Sequence, residues 1–135
     1  MELSDASLRL AGILVLSLVT VESGGAFMLR VVLGRQATTD LQKSFFRAGH
    51  AHAGVLLILG LVVQVFVDAT DLSGVGEWLA RSGVPAAALL MPAGFFLSVI
   101  GREVARPNRL FVLIPLGATL LAAGLVALGV GLLTA

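Results

Sequence analysis

Four long apolar stretches alternate with three short polar ones along the chain. The first runs from about Leu8 to Leu33 and is interrupted only by Arg9, Glu22 and Arg30. The second covers about Phe45 to Val67, the third about Val84 to Ile100, and the fourth, about Leu110 to Leu133, carries no charge. Crossing the hydrocarbon core of a bilayer takes about 20 apolar residues in a helix, so each stretch predicts one spanning α-helix. Pro85 near the start of the third span and Pro92 in its middle predict a local kink there. The expected fold is all-α: an integral membrane four-helix bundle, a single transmembrane domain over residues 1–135.

Composition agrees, with 58% apolar and 13% charged residues among 135 and a mean hydropathy of +1.03. A soluble domain averages roughly 45–50% apolar and about 25% charged. No cysteine is present, which excludes disulfides, thiolate metal sites and covalent haem attachment through C-x-x-C-H. The net charge of +1 predicts no nucleic-acid partner. Charge distribution says more than the sum: Arg30, Arg35, Lys43 and Arg47 flank the first connection and Arg102, Arg106 and Arg109 fill the third, seven of the nine basic residues. The positive-inside rule puts those two connections in the cytoplasm and both termini outside, in a bacterial-type plasma membrane. The start, Met-Glu-Leu-Ser-Asp, lacks a basic n-region and a cleavage site, so the first span is expected to stay in place. Asp68 to Gly83 is the longest connection, with Trp78 at headgroup level. In the last span Gly117, Gly124 and Gly131 recur every seven residues, a stripe that lets a neighbouring backbone come close, within the bundle or between subunits.

The chemistry concentrates in one place. Phe45-Phe46-Arg47-Ala48-Gly49-His50-Ala51-His52-Ala53-Gly54 contains both histidines of the chain. Ionisable residues inside a membrane are costly and mark sites and pathways. Residues at i and i+2 on a helix are roughly 200° apart, so His50 and His52 point to opposite sides. One metal ion chelated by a single helix wants i, i+3 or i, i+4 spacing, which disfavours a compact mononuclear zinc or copper site. A planar ligand such as haem needs one imidazole from each side and small neighbours that admit the macrocycle. Gly49 and Gly54, with Ala48, Ala51 and Ala53, are candidates for that role. Arg47, one turn before His50, suits a propionate. Glu22 lies in the first span at a depth comparable to the histidines. A buried carboxylate must be protonated or paired, so a partner is expected in a histidine, Arg47 or a metal, with proton relay, imidazole orientation or direct metal ligation as the functional readings.

The GHAHAG element resembles the H-x-H pattern of the haem-copper oxidase catalytic subunit and of short four-span bacterial membrane proteins related to it. That resemblance covers about ten residues. It implies that His50 and His52 are axial ligands to two different haems. It also implies that a homotrimer of this chain would imitate the twelve spans of the oxidase subunit. The chain departs from the pattern in having no third histidine, no histidine pair for copper and no tyrosine, so an oxygen-reducing centre is not expected. What remains is a b-type haem scaffold with an electron-transfer or haem-handling role and a redox partner the sequence does not identify. His50 of one subunit and His52 of the next would share each haem, because one helix cannot bring both imidazoles to opposite faces of one iron. Two other classes stay open: a zinc-dependent membrane enzyme and a proton-coupled transporter, each using Glu22 with His50 or His52.

The absence of native cysteine makes the orientation directly testable. A membrane-impermeant thiol reagent added to intact cells should modify Asp71→Cys and should modify Arg106→Cys only after permeabilisation; the reverse pattern would invert the topology.

Overall fold

The computed structural model describes residues 2–135. Four α-helices follow in order: α1 (Asp5–Val32), α2 (Asp40–Val67), α3 (Gly74–Leu97) and α4 (Leu113–Thr134), the last preceded by a 3-10 turn over Arg109–Val112. All four are long and apolar enough to cross a membrane, and no strand occurs among the described residues. The protein is an all-α multi-pass membrane protein.

Side-chain caps set two of the starts. Ser4 accepts from the Ser7 amide at 3.2 Å and opens α1. At α2, Thr39 Oγ1 accepts from the Gln42 amide at 3.2 Å while Gln42 Oε1 accepts from the Thr39 amide at 3.0 Å, a capping box. This box lets α2 begin ahead of the apolar run that starts near Phe45. α3 departs most from the hydropathy pattern, because it begins at Gly74 and not near Val84. Its first turns hold Glu77, Arg81, Gly76 and Gly83, polar and flexible residues that read as a connection along the sequence. Tertiary contacts hold two of them, Arg81 against Ser4, Ser7 and Asp68 and Gly83 against α4, while Glu77 pairs with Arg81 one turn on along the same helix. Trp78 therefore stands on the second turn of a helix, exposed to the surroundings.

Each helix packs chiefly on its neighbour in sequence: α1 on α2, α2 on α3, α3 on α4, with a smaller contact between α2 and α4. α3 is innermost, half of its most apolar window being buried against 11% for α1 and α4. Leu14, Leu56, Leu57, Ala87, Ala88 and Met91 form one core cluster, and Val63, Val67, Ala80, Val84 and Leu128 a second. Without a hydrophobic force between helices in lipid, close backbone approach has to supply the packing energy. A methyl group at Gly83 would lie 2.6 Å from the Leu120 carbonyl oxygen and 2.8 Å from Gly124 Cα, so α3 and α4 touch through bare backbone there. Gly117 is filled by Met91, side chain and backbone, and Gly131 by the side chain of Leu72 in the connection before α3. The α4 glycine stripe thus serves packing within the chain.

Polar side chains fasten both ends. Pro85 has no N–H for the carbonyl of Arg81, one turn earlier. Gln64, 1% exposed, donates to that carbonyl from α2 at 3.0 Å. Ser7 Oγ of α1 donates to the Gln64 carbonyl at 3.1 Å. The Arg81 guanidinium, its side chain 12% exposed, reaches Asp68 at 2.9 Å and Glu77 at 3.0 Å and donates to the hydroxyls of Ser4 and Ser7. Asp68 also accepts from the Ser4 amide at 2.8 Å. At the other end Gln42 Nε2 donates to the Val99 and Gly101 carbonyls, both at 3.0 Å, and Thr39 Oγ1 to the Val104 carbonyl at 3.0 Å. These bonds tie the connection between α3 and α4 to the start of α2.

Burial alone would raise the Asp68 pKa, yet hydrogen bonds from the Ser4 amide, Ser7, Arg81 and the Ser4 hydroxyl outweigh it and hold the carboxyl at about 2, below its usual 3.8. A carboxyl depressed in the folded state stabilises above its unfolded pKa and loses that contribution as pH falls through the folded one. Asp68→Asn should therefore lower the thermal midpoint in detergent at pH 7, and the gap to the parent should close between about pH 4 and about pH 2. A gap constant over that range would show that Asp68 acts without its charge.

Candidate functional site

α2 carries the site, and α3 divides it. Gly49 is buried where α3 crosses α2: a methyl group there would stand 2.9 Å from both Phe95 Cβ and Phe96 Cε2. Around the helix, His50 follows Gly49 by about 100° and His52 lies about 60° to its other side. α3 is thus seated between the two histidines. Phe96 falls on the His50 side, where it stacks on Phe46 at 5.7 Å between ring centroids. Phe95 falls on the His52 side, 5.0 Å from the imidazole centroid. Opposite faces, expected from i, i+2 spacing, are what the helix presents.

His50 opens into a groove of about 380 Å³ between α1 and α3, lined among others by Ser17, Thr20, Gly24, Ala53 and Ala88. Its ring lies against the small-residue turn of α1, since a methyl group at Gly24 would be 3.4 Å from Nδ1 and one at Gly25 3.8 Å from Nε2. Among the described residues no hydrogen bond reaches this ring. Pro92, also in the lining, has no N–H to offer the Ala88 carbonyl. The groove is therefore apolar with an imidazole, two hydroxyls and a backbone carbonyl lacking its helical donor.

His52 sits in a different setting. Its Nδ1 is 2.7 Å from the Ala48 carbonyl oxygen, one turn back. A carbonyl only accepts, so Nδ1 carries a proton, and in the neutral ring Nε2 holds the lone pair. The ring is fixed by that bond and by Phe95, and it borders a shallow cavity of about 160 Å³ formed with Ala51, Val55 and Leu56 on the outer side of α2.

The other residues singled out by sequence separate from this pair. Gly49 is occupied by the α3 phenylalanines and so serves helix contact. Gly54 faces Val21 of α1, where a methyl group would sit 3.8 Å from Val21 Cγ1. Glu22 is exposed on α1, and among the described residues it forms no ion pair with Arg47 or a histidine. Arg47 lines a separate cavity near the first connection. No three of the described histidines, aspartates and glutamates come together as metal ligands. Two features were missed along the sequence. The aromatic layer, in which Phe27, Phe45, Phe46, Phe95, Phe96 and Phe111 join α1, α2, α3 and the turn before α4, was signalled only by two Phe-Phe pairs. The Arg81 network was signalled by the i, i+4 spacing of Glu77 and Arg81. Against known protein families, curated proteins and solved structures, the chain finds no match.

Gly49→Ala should force α2 and α3 apart at the histidines. Overpacking of this kind costs about 1–3 kcal/mol, enough to exceed the ~1 kcal/mol gained from helix propensity. The thermal midpoint in detergent should fall for Gly49→Ala and hold or rise for Gly12→Ala, where added carbon meets nothing within 4 Å.

Proposed function

We propose that the protein binds b-type haem without covalent attachment and serves electron transfer or haem handling in the membrane, His50 of one copy and His52 of the next holding each haem. The observation that carries this reading is the state of His52: Nδ1 is committed to the Ala48 carbonyl, which leaves an oriented Nε2 lone pair on the outer side of α2, as an axial ligand requires. His50 fits the complementary position, since it faces a roomy, mostly apolar groove bordered by Gly24 and Ala53. Haem bound there would supply a one-electron couple. The protein's part is to orient two neutral imidazoles, exclude water with Phe95 and Phe96, and keep the groove open through small residues.

Assembly is part of the proposal, because the two rings face away from each other on one helix. A heterologous contact repeated around an axis closes into a ring, and the count of three follows from the resemblance to a twelve-span subunit. Glu22 supports an assembled state: a carboxyl exposed on a spanning helix is costly in hydrocarbon, and a neighbouring copy would cover it. The cytoplasmic placement of the first and third connections belongs to the same reading. A zinc site has less support, since Glu22 and the histidines are not gathered about one point.

The test is the absorption spectrum of protein expressed with ample haem, with and without dithionite. A Soret band that sharpens on reduction is expected, with loss of haem in both His50→Ala and His52→Ala. Colourless protein would overturn the reading. The mass of the haem-loaded complex should correspond to three chains, and a haem-carrying monomer would refute ligation between copies.

A further inference from the structure

A second cavity, of about 490 Å³, lies where the end of α1 and the first connection meet the first two turns of α2. Its lining divides by chemistry. Met28, Val31 and Val32 of α1 form an apolar wall; Gln36, Thr38, Lys43 and Arg47 form a polar, cationic one. We propose that this cavity seats the phosphate headgroup of an anionic phospholipid on Arg47 and Lys43, with an acyl chain running down the α1 wall.

Charge argues for an anion. Arg47 is exposed and forms no ion pair among the described residues. Lys43 meets only Asp40, at 3.4 Å, and that carboxylate is fully exposed, so the pairing is screened and weak. Arg30 and Arg35 flank the same end with no acid paired to them among the described residues. Thr38 Oγ1 is buried in the lining with no hydrogen-bond partner. A buried hydroxyl left unpaired is costly, and a phosphate oxygen would accept from it. Depth argues for a lipid over a soluble anion. Arg47 lies about 10 Å along α2 from Asp40, at the level where a basic side chain extends its stem through apolar surroundings toward the headgroups. An apolar wall on α1 suits an acyl chain and offers nothing to a free ion. Proximity to α2 adds its positive N-terminal dipole.

The proposal is independent of haem and is testable on full-length protein in neutral detergent. Binding is read by native mass spectrometry and by thermal midpoint with mixed micelles of phosphatidylglycerol, or of phosphatidylcholine with the same acyl chains. Phosphatidylglycerol should be retained and should raise the midpoint more than phosphatidylcholine. Each of Lys43→Gln and Arg47→Gln should weaken its binding about fivefold, as expected for one basic residue at a headgroup. Arg47→Lys should keep most of it. Arg102→Gln with Arg106→Gln, which together remove two charges from the third connection, should leave it unchanged. Equal binding of both lipids by the parent protein would overturn the proposal, as would equal weakening by the Arg102/Arg106 pair, which would mean general surface charge. Stabilisation by inorganic phosphate matching that by phosphatidylglycerol would overturn the lipid assignment and leave a soluble anion site.

Discussion

One side-chain amide holds the arrangement together at its least forgiving point. In hydrocarbon every backbone polar group needs a protein partner, and Pro85 deprives the Arg81 carbonyl of its own. Gln64 replaces the missing N–H from the adjacent helix, and its backbone carbonyl accepts from Ser7 of α1. The break in one helix is thus converted into a joint among three. Arg81 then turns its guanidinium to Asp68, Glu77, Ser4 and Ser7. A buried cation next to a helix break is tolerable because two carboxylates and two hydroxyls are turned toward it.

From that joint the course of α3 follows, and with it the site. Its first turns are fixed by Arg81 and by the glycine contact with α4, so its far end has little freedom where it crosses α2. Gly49 accepts that crossing, and the rings of Phe95 and Phe96 are delivered to either side. The two histidines are held in different surroundings for this reason: one against a phenylalanine with its proton engaged, one facing an open groove.

Much of this was legible along the chain because membrane spans are written in long apolar runs, and because i, i+2 spacing on a helix fixes two directions wherever the helix packs. The start of α3 was not legible. Glu77 and Arg81 lower the local hydropathy, and their helical state depends on Asp68, Ser4 and Ser7, the serines more than seventy residues away in sequence. Gly49 shows a related limit. A small residue beside a histidine permits close approach, but what approaches, a ligand or a phenylalanine of another helix, is decided by the packing of α3. Glu22 differs again: its unpaired state depends on which face of α1 turns outward, and α1 has a single main neighbour to decide it.

The neighbour-by-neighbour packing of the helices bears on how the chain is built. A spanning helix whose partner has already left the ribosome can dock as soon as it enters the bilayer, so α2 can close on α1, α3 on α2 and α4 on α3 without waiting for the whole chain. Local contacts of this kind carry little loop-closure cost. The bonds from Arg81 to Ser4 and Ser7 reach back past a hairpin, and they mature when α3 arrives. Biogenesis would proceed as successive latching, with the polar joint as the step that locks the first three helices before the uncharged fourth completes the row.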